Sequence, residues 1–558
     1  MTDVTRHFFV VLALSIACSG CGSEEPSPLV VLVAVDGATP ELINELRARG
    51  KLPNIDQLIR EGSWGPMESL AARRRLRPKP RRGYWSPIVW ASIATGKIPD
   101  KHGIVDFLLP LPGTSFVWAG QYDGPPVAEI RLPEISGASP HRLNLRLRNY
   151  APNGAQKVEL AMNGQTLGNV ELTEDWKDET FAIPRDALRP VENRLTLAFE
   201  RQSRPADHGR SNDQRPLAGA IAPLSILDSA GEVVVTFDPI FGRFDLIRGF
   251  HPPEAKVVEA QSTHMRAMPV WNLLGDAGHP VGIVGYWTTW PAYAVNGFLV
   301  SSHLGVRGKR QKTSTALTWP PELAAEISAL EPDDAAIARI TAELYPQTCQ
   351  PLAPKELRSF ERILWQDAFY QRIARKLLPT MERGFFTVYF ESVDASSHLF
   401  LPFRRGKAIP PGCPDTLRDV VDKTYFQIDR FLGELIAELP DRATVMLVSD
   451  HGSSTGGDRG FHAPFGVFAA RGPGIRAGGD VRGTMVLDIA PTILYALGES
   501  VPLDMDGKVV VSSFESDWLA AHPVTYLETD TSMPPATVTE TEISKEMLER
   551  LRSLGYVR

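Results

Sequence analysis

Three aspartates, each at or just past the end of an apolar run, are the residues of this 558-residue chain best placed for chemistry. Asp36 closes "PLVVLVAVD", Asp394 comes shortly after "FFTVYF", and Asp450 closes "ATVMLVSD". Two of them bring a histidine: His398 stands four residues after Asp394, and His451 directly follows Asp450. A further histidine, His462, sits in "DRGFHAPFG", which reads as a Gly-flanked loop. If a helix starts near Asp394, residues four apart share one of its faces. Three carboxylates and three imidazoles make a mixed oxygen and nitrogen donor set that suits Zn²⁺ first and Mn²⁺ second. Six donors exceed the needs of one tetrahedral ion and fit two divalent cations about 3.5–4 Å apart. Either histidine motif alone reads more simply as packing or as a turn. The set as a whole would be a group of buried charges, and buried charges need partners.

A hydroxyl to go with them is offered by "SPIVWASIATGKIPDKHGI", from Ser86 to Ile104. The stretch suits a short helix with Pro87 at its first position. Ser86 is then either a plain N-cap or a nucleophile at a helix N-terminus that favours an anion. Seven basic residues between Arg73 and Arg82 are a solvated loop or a source of phosphate contacts. Trp287 and Trp290, in "GYWTTWP", are packing residues or a platform for a base or sugar.

The elements that must position these groups follow from pattern. Leu29–Val35 is apolar throughout, as a strand buried on both faces is, and a helical pattern with Leu42, Ile43 and Leu46 follows it. In open α/β sheets, ligands gather at the carboxyl ends of the strands. If the sheet is parallel, Asp36, Asp394 and Asp450 reach one edge of it. The catalytic α/β part is expected over 29–115 and 238–510. Between them, 116–237 alternates apolar and polar residues at period two, as in "HRLNLRLRNY" and "NRLTLAFERQ". That stretch is expected to be an inserted antiparallel β-sandwich. Residues 511–558 read as a linker and a short terminal helix.

The bulk properties limit the function. Apolar residues make up 43% and charged residues 22%, with a net charge of −7. This is globular material with no signature of a nucleic-acid scaffold. Phe8–Ala17, "FFVVLALSIA", follows Arg6 and His7 and reads as the apolar core of an export signal within 1–21. It is followed by Cys18 and Cys21, each after a small residue as in a bacterial lipoprotein box. Plain secretion is the alternative. The expected location is a bacterial membrane facing the periplasm or the exterior, reached through a lipid on one of these cysteines. No other segment is apolar for the roughly 18–20 residues of a membrane helix. Cys349 and Cys413 remain, as one disulfide or as two separate thiols.

Taken in order, "VAVDGATPELINEL", "SPIVWASIATGKIPDKHGI", "ESVDASSH", "VSDHG", "GFHAPF", "LDIAPTILYALG" and "DMDG" resemble the alkaline phosphatase superfamily, in its type I phosphodiesterase/nucleotide pyrophosphatase branch. The resemblance covers most of 29–115 and 250–510. It implies a three-layer α/β/α fold with a mostly parallel central sheet. It also implies a metal-dependent phosphoric-ester hydrolase working through a phosphoseryl intermediate. One cation would be held by Asp394, His398 and His462, the other by Asp36, Asp450, His451 and the oxygen of Ser86. Ser86 stands ten residues before Gly96, as the family's nucleophile does. His102 has no metal role by this resemblance. In the nucleotide pyrophosphatases an asparagine five residues past the histidine of "HGI" helps hold the phosphoryl group; here that position is Phe107, which cannot donate a hydrogen bond. The resemblance thus implies a phosphodiesterase/nucleotide pyrophosphatase-like enzyme that lacks this one nucleotide-branch contact. A phosphomonoesterase or a phosphonate hydrolase of the same superfamily is the alternative enzyme.

The stretch with "MNGQTLG" and "VENRLTLAF" looks like a galactose-binding-type jelly roll, which implies a glycan contact or a shielding module. A catalytically inactive, surface-anchored glycan-binding protein is the alternative of another class. A sulfatase is disfavoured because Ser86 and Pro87 are adjacent and Trp90 stands where that family needs an arginine. A phosphoethanolamine transferase would need several membrane helices, and a phosphoglycerate mutase would be cytosolic.

Overall fold

The structure, a computed structural model, describes residues 28–70, 86–111, 114–135, 141–209, 211–237, 239, 246–251, 256–304, 316–345, 351–456, 459–534 and 536–538. The leader with Cys18 and Cys21, the basic run Arg73–Arg82, Cys349 and the terminal segment from Ser544 lie outside them. Cys413 is disulfide-bonded. The described residues divide into two compact units. One comprises those up to His102 and those from Arg266 to Met533; the other comprises those from Gly103 to Met265 and those from Pro534 onward.

The first unit is built on a ten-stranded sheet. Its centre is five parallel strands in the order Gly297–Val300, Val281–Val284, Gly384–Phe390, Leu29–Val35 and Thr444–Val448. Antiparallel strands flank them, Thr318–Trp319 on one side and Phe465–Arg471 on the other. Every residue of Leu29–Val35, Gly384–Phe390 and Thr444–Val448 is buried. Such strands read as unbroken apolar runs because helices cover both faces of a parallel sheet. The register is level: Val30 pairs with both Phe385 and Thr444, Val35 with Phe390, and Ala34 with Val448. The three strands therefore end together, and the residues that follow them share one edge. Helices Pro40–Ala48, Pro354–Leu377, Ser392–Arg404 and Val420–Ile436 belong to this unit, as does Ser86–Thr95. The last is buried along its whole length, so it shows no polar face in sequence.

The second unit holds two antiparallel sheets. One has the order Leu246–Arg248, Val127–Leu132, Asn193–Phe199, Gln156–Met162, Gln165–Leu172. The other runs Val233–Phe237, Leu224–Leu227, His141–Asn149, Gly219–Ile221, Val117–Ala119, with Lys177–Ile183 also paired to His141–Asn149. His141–Asn149 alternates strictly, with Leu143, Leu145 and Leu147 buried and Arg142, Asn144, Arg146 and Arg148 turned outward or half-buried. Those leucines fall in one apolar cluster with Val158, Leu160, Leu195 and Leu197 of the other sheet. No helix among the described residues is long and apolar enough to cross a membrane.

Candidate metal centre

Asp36 follows its strand directly, and its backbone N–H continues the ladder to the Phe390 carbonyl at 2.9 Å. Asp394 and His398 lie on helix Ser392–Arg404, one turn apart, with His398 Nε2 3.4 Å from Asp394 Oδ1. The start of that helix is fixed from outside. Asp367 accepts from the N–H groups of Glu391, at 3.0 Å, and Ser392, at 2.9 Å. These donors have no partner within a helix. Asp450 and His451 follow Thr444–Val448 and Ser449.

His462 is not in a loop. It sits in Arg459–Ala463, one arm of a hairpin whose other arm is Gly452–Gly456, opposite Ser453. The pairing lays its ring on that of His451, with centroids 3.6 Å apart and planes 20° from parallel. Glycine and polar residues in both arms hide the period-two pattern that marks a strand.

Six of the seven proposed chemical groups fall into two overlapping constellations and their immediate border. The ligand-type atoms of Asp394, His398 and His462 lie within 4.8 Å of one another, as do those of Asp36, Asp394 and His451. Asp394 belongs to both groups. Asp450 borders the second: its Oδ2, buried and without a hydrogen bond, is 3.4 Å from His451 Nε2. The seventh group, Ser86, is buried at the N-terminus of its helix. Its hydroxyl is 3.3 Å from Asp36 Oδ1 and 3.4 Å from His451 Nε2.

The electrostatics test whether a cation suits this place. Asp36, Asp394 and Asp450 are each at most 1% exposed. Burial, and then the charge of Asp36, raise Asp450 well above the usual carboxylate range. Burial also opposes the charged form of Asp36, but the hydrogen bond and charge of His451, with Tyr389 and Trp90, bring it below its ordinary value. Burial would lower His451, yet the charge of Asp450 and the hydrogen bond to Asp36 outweigh it and lift the imidazole to about 10. The site thus draws positive charge to its centre. His451 Nδ1 lies 3.0 Å from the Gly452 carbonyl, which directs Nε2 at the carboxylates. A buried carboxylate oxygen without a hydrogen bond, a directed imidazole and oxygen/nitrogen donors all fit divalent cations.

The other residues singled out in sequence have these surroundings. His102 is wholly buried, bonded to Ser92 Oγ at 2.8 Å, and burial lowers it to about 3, so it is a neutral packing group. Trp290 is buried against the His303 ring, centroids 4.3 Å apart, which is a packing position. Trp287 is half-buried and donates its indole N–H to the Tyr389 hydroxyl at 2.8 Å. Phe107 belongs to the second unit, where it is buried and its carbonyl accepts from Ala260 N–H. Two supporting residues escaped the sequence reading. Tyr389 is the one hydroxyl-bearing ring in "GFFTVYF", and Asp367 the one acid in "LWQDAFY"; a polar residue inside an apolar run was the available signal.

With the geometry in place, comparison with known proteins adds the following. The sequence matches the family described as type I phosphodiesterase / nucleotide pyrophosphatase over residues 30–137 and 249–463. No curated protein matches it. Among solved structures, phosphonoacetate hydrolase from Sinorhizobium meliloti 1021 in complex with phosphonoformate is 13% identical, with a TM-score of 0.33. That alignment covers 77% of this chain and 57% of the other, so the chain spans less than two thirds of that relative. Phosphonate monoester hydrolase from Silicibacter pomeroyi is also 13% identical, with a TM-score of 0.37 over 88% of this chain and 78% of that one.

Proposed function

The chain belongs to the type I phosphodiesterase / nucleotide pyrophosphatase family, and from that premise we propose that it is a metal-dependent phosphoric-ester hydrolase that uses Ser86 as its nucleophile. The observation that carries the reading is the Ser86 hydroxyl, 3.3 Å from Asp36 Oδ1 at the border of a buried carboxylate and imidazole cluster. In this reading Asp394, His398 and His462 hold one divalent cation, and Asp36, Asp450 and His451 hold the other, Zn²⁺ before Mn²⁺. Two cations there would lower the pKa of the Ser86 hydroxyl and offset charge that builds on the phosphoryl oxygens.

The chain's own part is positional. Ser86 Oγ forms a bond to phosphorus as the bond from phosphorus to the leaving oxygen breaks, and water then cleaves the phosphoserine. The hydroxyl proton points at Asp36 Oδ1. The N-terminus of helix Ser86–Thr95 faces the phosphoryl group with the positive end of its dipole. Burial of the cluster keeps bulk water from screening these charges.

The substrate is a small phosphoric diester in this reading. The two antiparallel sheets of the second unit are read as a β-sandwich inserted in the catalytic chain, and the N-terminus as a leader ending in a lipid-bearing cysteine. The deciding experiment measures bound metal and turnover of bis-p-nitrophenyl phosphate, p-nitrophenyl phosphate and p-nitrophenyl sulfate on the purified protein. Bound zinc or manganese with the diester preferred is expected. Preference for the monoester would overturn the diester reading, and a metal-free, inactive protein would overturn the whole. Ser86→Ala is expected to cut turnover by at least about a thousandfold while keeping the metal; unchanged turnover would refute the nucleophile.

A further inference from the structure

The two oxygens of Asp36 face different surroundings. Oδ1 looks into the cluster, 3.3 Å from Ser86 Oγ and 3.3 Å from His451 Nε2. Oδ2 is turned away and accepts two hydrogen bonds, from the Tyr389 hydroxyl at 2.5 Å and from the Trp90 indole N–H at 3.1 Å. The Tyr389 oxygen itself accepts the Trp287 indole N–H at 2.8 Å. A phenol has one proton. With Trp287 donating to its oxygen, Tyr389 has its proton directed at Asp36.

Packing holds the three donors in place. The Trp90 ring meets Tyr286 and Tyr389 edge-on, at centroid distances of 5.6 and 5.4 Å. The Tyr286 hydroxyl donates to the Trp90 carbonyl at 3.0 Å. Trp90, Tyr286 and Tyr389 are at most 1% exposed, and Trp287 alone is half-buried. The chain of bonds thus runs from the rim of the sheet edge to a carboxylate at its centre.

We infer that Trp287 and Tyr389 are positioning residues that hold Asp36 so that it offers a single oxygen, Oδ1, to a divalent cation, while Oδ2 is kept from ligation by the hydrogen-bond chain Trp287–Tyr389–Asp36. The inference rests on the metal-dependent reading above. It also gives Trp287 a duty other than stacking on a substrate. Outer hydrogen bonds of this kind fix ligand orientation and typically change metal affinity by about 10–100-fold when removed.

The test measures Zn²⁺ affinity of the full chain by competition with a chromogenic chelator, for wild type, Tyr389→Phe, Trp287→Phe and the double variant. Circular dichroism and melting temperature report the fold of each. Phenylalanine keeps a ring at both positions and removes only the bonding group from tyrosine, so Tyr389→Phe is expected to fold and to bind Zn²⁺ about 10–100-fold more weakly. Trp287→Phe is expected to weaken binding in the same direction and by less. The double variant is expected to match Tyr389→Phe, because Trp287 acts on Asp36 through that hydroxyl. Wild-type protein that binds no zinc would overturn the metal reading and this inference together. Wild-type affinity in Tyr389→Phe would overturn this inference and leave the metal reading standing. Additive losses in the double variant, or wild-type affinity in Trp287→Phe, would overturn the role of Trp287.

Discussion

Asp394 has a place that no other acid in the cluster has, since both groups of ligand-type atoms include it. Its Oδ1 is 3.4 Å from His398 Nε2 and 3.7 Å from His462 Nε2, and the same carboxylate closes the group with Asp36 and His451. Asp450 stands beside one group only, through its 3.4 Å approach to His451. Asp394→Asn is therefore expected to lose metal from both places, and Asp450→Asn from one at most. Metal per folded chain, measured by mass spectrometry of the element, checks this; wild-type stoichiometry in Asp394→Asn contradicts it. Asparagine keeps the shape and removes a buried charge, and circular dichroism reports the fold of each variant. These residues were legible in sequence because their chemistry is unusual for their context, acids at the ends of apolar runs with histidines at hand. Which carboxylate serves both groups was not legible, because it depends on the angle at which helix Ser392–Arg404 leaves the sheet. Tyr389 was not legible as a partner of Asp36 either, because an aromatic ring in a buried strand looks like core.

At the scale of elements, two ties set where helices Ser392–Arg404 and Ser86–Thr95 stand. The first is Asp367, which reaches from helix Pro354–Leu377 to the N-terminus of Ser392–Arg404 and accepts from Glu391 and Ser392. Asp367→Ala leaves those buried N–H groups without that acceptor and is expected to cost about 1–3 kcal/mol of stability. Asp367→Asn, which keeps one acceptor oxygen, is expected to recover most of it. Chemical denaturation of the two variants checks this, and equal stability of alanine and wild type would contradict it. The second tie holds the far end of the Ser86 helix. The Gly96 carbonyl accepts from the backbone of Asp506, at 2.9 Å, and Gly507, at 3.0 Å. Lys97, itself buried, bonds Asp504 and Thr531. Gly96 has φ +65°, and a Cβ there would lie 3.1 Å from both Met505 Sδ and Pro491 Cδ. The "DMDG" stretch thus serves as a seat for the Ser86 helix. The parallel strands could be read from their unbroken apolar runs. The hairpin of His462 could not, because glycines and polar residues there replace the alternation that announces a strand, and its pairing comes from tertiary contacts.

For the molecule as a whole, the ligand-type residues are unevenly shared, and that has a thermodynamic consequence. Asp36, Ser86, Asp394, His398, Asp450, His451 and His462 all belong to the unit that contains the parallel sheet. The apolar cores are separate as well. One cluster includes Val30, Trp90, Tyr389 and Val448, and the other Leu143, Leu160 and Leu197. A cation that binds only the folded first unit stabilises that unit by mass action, by about 2.7 kcal/mol when it is present at 100 times its dissociation constant. Removing it also leaves three nearly inaccessible carboxylates to share one small volume. Scanning calorimetry of the full chain is accordingly expected to show two transitions. Chelation should lower one of them by several degrees, and added Zn²⁺ should restore it, while the other stays in place. A single transition that moves as a whole would mean that the units unfold together. Two transitions that both ignore the chelator would remove the cation from the account of this cluster. The strands of the second unit were legible from their alternation for the same reason that its transition should be silent: its core cluster is apolar side chain against apolar side chain, which gives a metal ion no ligand.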